Sequence, residues 1–157
     1  MQIVPLEQPQ TRHDFQNAVV LVVDDDRATL SALTRVLRNE PYEVIAADSA
    51  ERALECIDAV PVSLVVTDEF MPYMRGTQLL AEIQKRSPAT GTAILTARPD
   101  PQLMTRSWVL GVDAFLCKPW DDTALRETLT RLLGERGFGV RGVSDVDPDY
   151  DVGGEGG

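Results

Sequence analysis

Five short apolar runs alternate with five stretches of helical periodicity, and that alternation limits this chain to very few folds. The first run, Ala18-Val19-Val20-Leu21-Val22-Val23, is apolar without a break and rich in β-branched residues. Such a run reads as a strand buried on both faces, which is the situation of a central strand in a parallel sheet. Leu30, Leu33, Val36 and Leu37 then recur at helical spacing to about Glu40, and Pro41 is expected to stop that helix. Residues 42–46 form a second strand, followed by a helix whose apolar face is Ala50, Leu54 and Ile57 and whose cap is Ser49. Leu64-Val65-Val66 is a third strand, with Leu79, Leu80 and Ile83 marking the helix after its loop. Residues 92–96 make the fourth strand, ahead of a weaker helix over about 100–110. Residues 113–117 are the fifth, before a helix over about 121–136 with Leu125, Leu129, Leu132 and Leu133 on one stripe.

Strands alternating with helices predict an α/β fold, a parallel sheet covered on both faces. Right-handed crossovers leave few topologies for five such units, and the flavodoxin-like doubly wound (βα)5 order 2-1-3-4-5 is the natural candidate. The folded unit is expected over 17–136. Residues 1–16 read as a loose arm, with Pro5 and Pro9 among polar residues and His13 a solvated side chain. Seven of the eleven glycines lie from Gly137 onward, mixed with Asp145, Asp147, Asp149, Asp151 and Glu155. That composition cannot bury a core, so 137–157 are expected to be a disordered acidic tail or linker. A G-x-G-x-x-G match at 137–142 follows a helix instead of a strand and fails the dinucleotide-binding context.

Charge excludes some classes of function. Acids outnumber bases 25 to 15, for a formal charge of −10, which argues against a nucleic-acid surface and against anionic membranes. No apolar run approaches the ~20 residues of a membrane span, and the N-terminus lacks the pattern of a signal peptide. Cys56 and Cys117 have no metal spacing and are too few for a disulfide framework. A cytoplasmic domain is the expectation. Trp108 and Trp120 are expected to pack, Trp120 at a partner surface, and Cys117 to be ordinary strand packing.

The ligand-binding edge of an open α/β sheet is the carboxyl end of its strands. In the 2-1-3-4-5 order that edge collects Asp24 and Asp25, Asp68, Thr96 and Lys118. Carboxylates held that close repel, so a proton or a cation must neutralise them. Oxygen donors with room for water suit Mg²⁺. The remaining acid can be a nucleophile toward phosphorus, with Lys118 and Thr96 stabilising the transferring group. Asp25 or Asp26 could equally cap the first helix.

The pieces VVLVVDDD, D-E-F-M-P-Y-M-R-G, A-I-L-T-A and F-L-C-K-P-W, in this order and at these spacings, resemble the receiver domain of two-component response regulators over about 19–133. The resemblance implies that Asp68 is the phosphorylated aspartate and that Asp25 binds Mg²⁺ directly. It implies that Asp24 assists through water and that the backbone carbonyl of Phe70 is a further ligand. Thr96 and Lys118 would contact the phosphoryl group, and Thr96 with Phe115 would form the switch, Phe standing where Tyr is common. Phe70 and Arg98 would tune the lifetime of the phosphoryl group. The implied partners are a sensor histidine kinase or a histidine phosphotransfer protein, and a downstream effector or output domain. The responding face is that of the fourth helix, fifth strand and fifth helix, and a phosphorylation-dependent homodimer is admitted. The domain would catalyse only its own aspartyl chemistry and not be an enzyme in the usual sense. Two rivals stand beside this reading. One is a receiver-like interaction module that needs no phosphorylation. The other is a phosphohydrolase of the haloacid-dehalogenase class, for which Ala28 is the wrong residue after Asp24-Asp25-Asp26.

Overall fold

The computed structural model of the chain describes residues 17–135. The arm, the tail, His13 and the glycine match at 137–142 lie outside them. Five strands, β1 (Val19–Val23), β2 (Glu43–Ala47), β3 (Leu64–Thr67), β4 (Gly91–Thr96) and β5 (Ala114–Cys117), alternate with five helices. The helices are α1 (Arg27–Leu37), α2 (Ala50–Ala59), α3 (Gly76–Arg86), α4 (Pro101–Leu110) and α5 (Asp122–Glu135). All pairings are parallel and the sheet order is β2-β1-β3-β4-β5. This is the doubly wound flavodoxin-like order expected from the alternation.

The two-residue period of a strand divides the core between the two faces of the sheet. Val20 and Val22 of β1 pack with Leu64, Val66 and Leu95 against Leu30, Leu33 and Leu37 of α1 and Leu125, Leu129, Leu132 and Leu133 of α5. Leu21 and Val23 face the other way, with Val65 and Ile94, onto Ala50 and Ala53 of α2 and Leu79, Leu80 and Ile83 of α3. A strand buried on both sides has no room for polar alternation, which is why β1 and β3 read as unbroken apolar runs.

The termini of the elements correct three expectations. The first helix ends at Leu37, before Pro41, and the chain turns through 38–40 so that Tyr42 enters the core ahead of β2. Trp108 does not pack: it is 87% exposed. Leu103 and Ser107, four apart, are the residues that α4 buries, and Trp108 stands one position, about 100°, farther round. Cys117 is likewise exposed, at the end of edge strand β5. Trp120 does pack, partly buried against the α1–α5 side of the core. Ser49 caps α2 as expected, its hydroxyl accepting from the Arg52 amide at 3.1 Å.

Candidate functional site

The sheet register brings the acids together. Val23 of β1 pairs with Thr67 of β3, so Asp24 and Asp68 are the next residues along two adjacent strands. The Asp68 amide donates to the Val23 carbonyl at 3.1 Å, and the Asp24 amide to that of Ala47 at 3.2 Å. On the other side of β3, Thr96 ends β4 opposite Cys117 of β5, and the Lys118 amide donates to the Thr96 carbonyl at 2.9 Å.

Side chains complete the arrangement. Carboxylate oxygens of Asp24, Asp25 and Asp68 lie within 4.8 Å of one another. Asp24 is 2% exposed, whereas Asp25 faces solvent and Asp68 is intermediate. The Lys118 ammonium donates to Asp24 Oδ2 at 2.6 Å and to Asp68 Oδ2 at 3.2 Å. Asp68 Oδ1 accepts from the Glu69 amide at 2.7 Å, and Asp24 Oδ1 from the Asp26 amide at 2.9 Å. Asp26 is the helix cap, accepting from the Ala28 amide and the Thr29 hydroxyl, both at 3.0 Å. Capping and clustering are thus divided between neighbouring acids.

Burial pushes the Asp24 carboxyl above the usual carboxylate range, against the hydrogen bonds from Lys118 and from the Asp26 amide. Burial alone would pull Lys118 down, but its hydrogen bond to Asp24 and the charges of Asp24 and Asp68 outweigh it and hold the ammonium above its ordinary value. The raised value means that Lys118 binds its proton more tightly folded than unfolded. Its stabilising contribution is present in full below about pH 10 and is lost as pH rises through the folded value. A Lys118→Met variant should therefore lose less of its own stability between pH 9 and 12 than the wild type does, as measured by urea unfolding.

Thr96 is fully buried and its hydroxyl accepts from the Arg98 amide at 3.2 Å. Phe115, half-buried, packs on the α2–α3 side of the sheet. The guanidiniums of Arg75 and Arg98 each lie over the Phe70 ring, 5.5 Å from its centroid, within the range of cation–π attraction. The Lys118–Pro119 peptide is cis. Gly76, which opens α3, lies so close to the backbone of Asp68 and Glu69 that a Cβ there would meet the Asp68 carbonyl oxygen at 2.1 Å.

Sequence reasoning missed three residues: Arg75, Glu69 and Arg106. Glu69 is fully buried, with its carboxylate on Thr77 of α3 and on Arg106 of α4. No local pattern links positions 37 apart. The available signal was an acid between Asp68 and the apolar pair Phe70-Met71, in a loop with little solvent for it.

Three carboxylates against one ammonium leave about two negative charges uncompensated, and every donor is a hard oxygen. A divalent, oxygen-seeking cation fits that set. Asp68 offers a nucleophilic oxygen beside it.

Comparison with known proteins agrees with this geometry. The family described as response regulator receiver domain matches residues 20–145. The transcriptional regulatory protein GlrR of Escherichia coli (strain K12) is 40% identical over 119 residues, covering 74% of this chain and 26% of that protein. A cyclic di-GMP phosphodiesterase of Thermotoga maritima is 32% identical over 119 residues, 76% of this chain and 32% of its own length. The two-component response regulator ORR11 of Oryza sativa subsp. indica is 32% identical, with 80% of its length covered by 73% of this chain. The chain therefore spans about a quarter to a third of the first two relatives. Among solved structures, the signal receiver domain of an HD domain-containing protein from Pseudomonas fluorescens Pf-5 superposes with a TM-score of 0.74 at 32% identity, covering 76% of this chain and 97% of that one. A CheY-like receiver domain from Methanospirillum hungatei JF-1 gives 0.73 at 31% identity, with 76% and 96% covered. Receiver domains bind Mg²⁺ at an acidic pocket of this kind and work with kinases and output domains. No helix among the described residues is long and apolar enough to cross a membrane. The chain belongs to the receiver-domain family of two-component response regulators.

Proposed function

We propose that this chain accepts a phosphoryl group on Asp68 from the phosphohistidine of a sensor kinase or phosphotransfer protein, and that the modification alters the α4–β5–α5 face. The observation that carries the reading is the cluster of Asp24, Asp25 and Asp68 carboxylates within 4.8 Å, with Lys118 bridging two of them. An Asp68 carboxylate oxygen attacks phosphorus, the P–N bond breaks, and the electron pair leaves with the imidazole. Asp24, Asp25, Asp68 and the Phe70 carbonyl would hold Mg²⁺, which when bound supplies positive charge to the phosphoryl oxygens. Lys118, already within reach of Asp68, pairs with the new charge, and the Thr96 hydroxyl would hydrogen-bond it. The chemistry begins and ends on the protein itself, so the chain is a switch and not an enzyme in the usual sense.

An effector would read the outcome on α4, where Met104 and Trp108, four apart, are exposed together with Val109. Exposed apolar side chains gathered on one helix are what a docking surface supplies. Names of relatives point to transcriptional regulation and to cyclic di-GMP hydrolysis as outputs; here the output is a partner or a further domain, working in the cytoplasm.

The deciding experiment is intact mass after incubation with acetyl phosphate. One added phosphoryl group that requires Mg²⁺ is expected. No addition, together with no beryllofluoride complex, would overturn the reading.

The Phe70 ring, two residues beyond Asp68, holds the Arg75 and Arg98 guanidiniums at 5.5 Å; we infer that this group shields an acyl phosphate on Asp68 and slows its hydrolysis. Phe70→Ala and Arg98→Ala are each expected to shorten its lifetime about tenfold, which corresponds to ~1.4 kcal/mol of barrier. The decay of the phosphorylated mass with time measures this, and an unchanged decay would remove the shielding role.

A further inference from the structure

Two acids are buried among the described residues, Asp24 and Glu69. The first belongs to the cluster, and the second has no part in the phosphoryl chemistry. Glu69 directly follows the acceptor, and its amide holds Asp68 Oδ1 at 2.7 Å. Its carboxylate faces three donors. One oxygen accepts from the Thr77 amide at 2.7 Å, and the other from the Thr77 hydroxyl at 3.1 Å and from Arg106 Nη2 at 3.2 Å. Thr77 sits in the first turn of α3, while Arg106 is on α4. One residue thus ties the acceptor loop to two helices.

The tie matters most to α4, which is thinly held. It buries Leu103 and Ser107 alone, against five residues for α3 and four for α5. The buried Ser107 hydroxyl has no hydrogen-bond partner among the described residues. Gln84 of α3 reaches the Leu110 carbonyl at 3.0 Å, at the far end of the helix. Elements that move are those with few buried apolar contacts, and for such an element one polar anchor carries weight.

We infer that Arg106 is a positioning residue, a latch that holds α4 on the acceptor loop in the unphosphorylated protein and lets go when the switch is thrown. The inference rests on the receiver chemistry proposed above. Its two ends differ in the way a latch requires. Arg106 is 44% exposed at its side chain and Glu69 not at all, so the guanidinium can return to water. The carboxylate keeps both Thr77 donors and the N-terminus of α3 when Arg106 departs, so the charge left behind is still hydrogen-bonded. The contact is made by Glu69, Thr77 and Arg106 and involves neither Thr96 nor Phe115. A contact made only in the resting state biases the pre-existing equilibrium against the activated one, and by linkage against any ligand that prefers the activated one.

The test is a calorimetric titration of the full chain with beryllofluoride in the presence of Mg²⁺. Arg106→Gln is expected to lower the half-saturating concentration roughly three- to tenfold, within the usual size of allosteric couplings. Arg106→Lys should restore most of the wild-type value. In a Glu69→Gln background the Arg106→Gln change should add less than about twofold, because the partner charge is already gone. Unchanged or weaker binding in Arg106→Gln with a lowered melting temperature would mean a plain structural strut, and would overturn the latch. An equal effect of Arg106→Gln with and without Glu69 would also overturn it. A wild type that takes up no beryllofluoride would overturn the receiver chemistry itself, and the latch with it.

Discussion

Asp68→Asn is expected to take up no phosphoryl group from acetyl phosphate and Mg²⁺, below about one part in a hundred of the wild-type mass shift. A factor of 100 corresponds to ~2.7 kcal/mol of barrier, and loss of the attacking atom removes far more than that. Asn keeps the shape of the side chain, and its amide oxygen can still accept from the Glu69 amide now 2.7 Å from Asp68 Oδ1. The amide has no anionic oxygen to form an acyl phosphate. It also removes one of the three carboxylates that gather at the site, so Mg²⁺ affinity should fall. Lys118 retains Asp24 at 2.6 Å, and the fold should survive with a melting temperature close to wild type. Uptake by a well-folded Asp68→Asn protein would place the phosphoryl group on another residue.

Gly76→Ala is expected to lower stability by roughly 2–4 kcal/mol, near the upper end for overpacking a site that cannot yield. A new Cβ would sit 2.1 Å from the Asp68 carbonyl oxygen and 2.9 Å from its carbon. Both are backbone atoms, so no side chain can rotate away. The Gly76 amide donates to the Glu69 carbonyl at 3.0 Å, and that bond must break or the acceptor loop must shift. Phosphoryl uptake should therefore slow along with the loss of stability, since the loop carries Asp68. Gly134→Ala is the natural contrast. It lies in α5 with nothing among the described residues within 4 Å of the added methyl, and alanine is the better helix former, so stability should hold or rise by up to ~1 kcal/mol. Chemical denaturation of the two variants beside wild type measures both. Equal effects would show that the approach of α3 to the loop is not what requires glycine at 76.

The strands and helices were legible because each carries its own period. β1 is apolar on every residue because it is covered on both faces, and α5 shows its leucine stripe because one side meets the sheet. Boundaries were less legible: α1 stops at Leu37 because Tyr42 has to enter the core, a tertiary demand that Pro41 does not announce. Trp108 and Cys117 were misjudged for a related reason. Side-chain type predicts burial only on average, and it was the angle of α4 on the sheet and the edge position of β5 that left these two outside.

Position at strand ends sufficed to bring Asp24, Asp25, Asp68, Thr96 and Lys118 to one place, because a parallel sheet of known order must bring its carboxyl ends to one edge. The division of labour among three consecutive acids was decided only in three dimensions. Asp24 is buried against Lys118, Asp25 faces solvent beside it, and Asp26 turns to cap α1. The same holds for the contacts of Arg75 and Arg98 with the Phe70 ring and the hydrogen bond that Arg106 donates to Glu69. The sequence by itself determined the order of the elements and the residue types at the carboxyl edge of the sheet, because periodicity and strand termini are local properties. The tertiary structure decided which charges are buried, which partners compensate them and how α4 is tied down. Those depend on distances between segments tens of residues apart, and no local pattern in the chain records such distances.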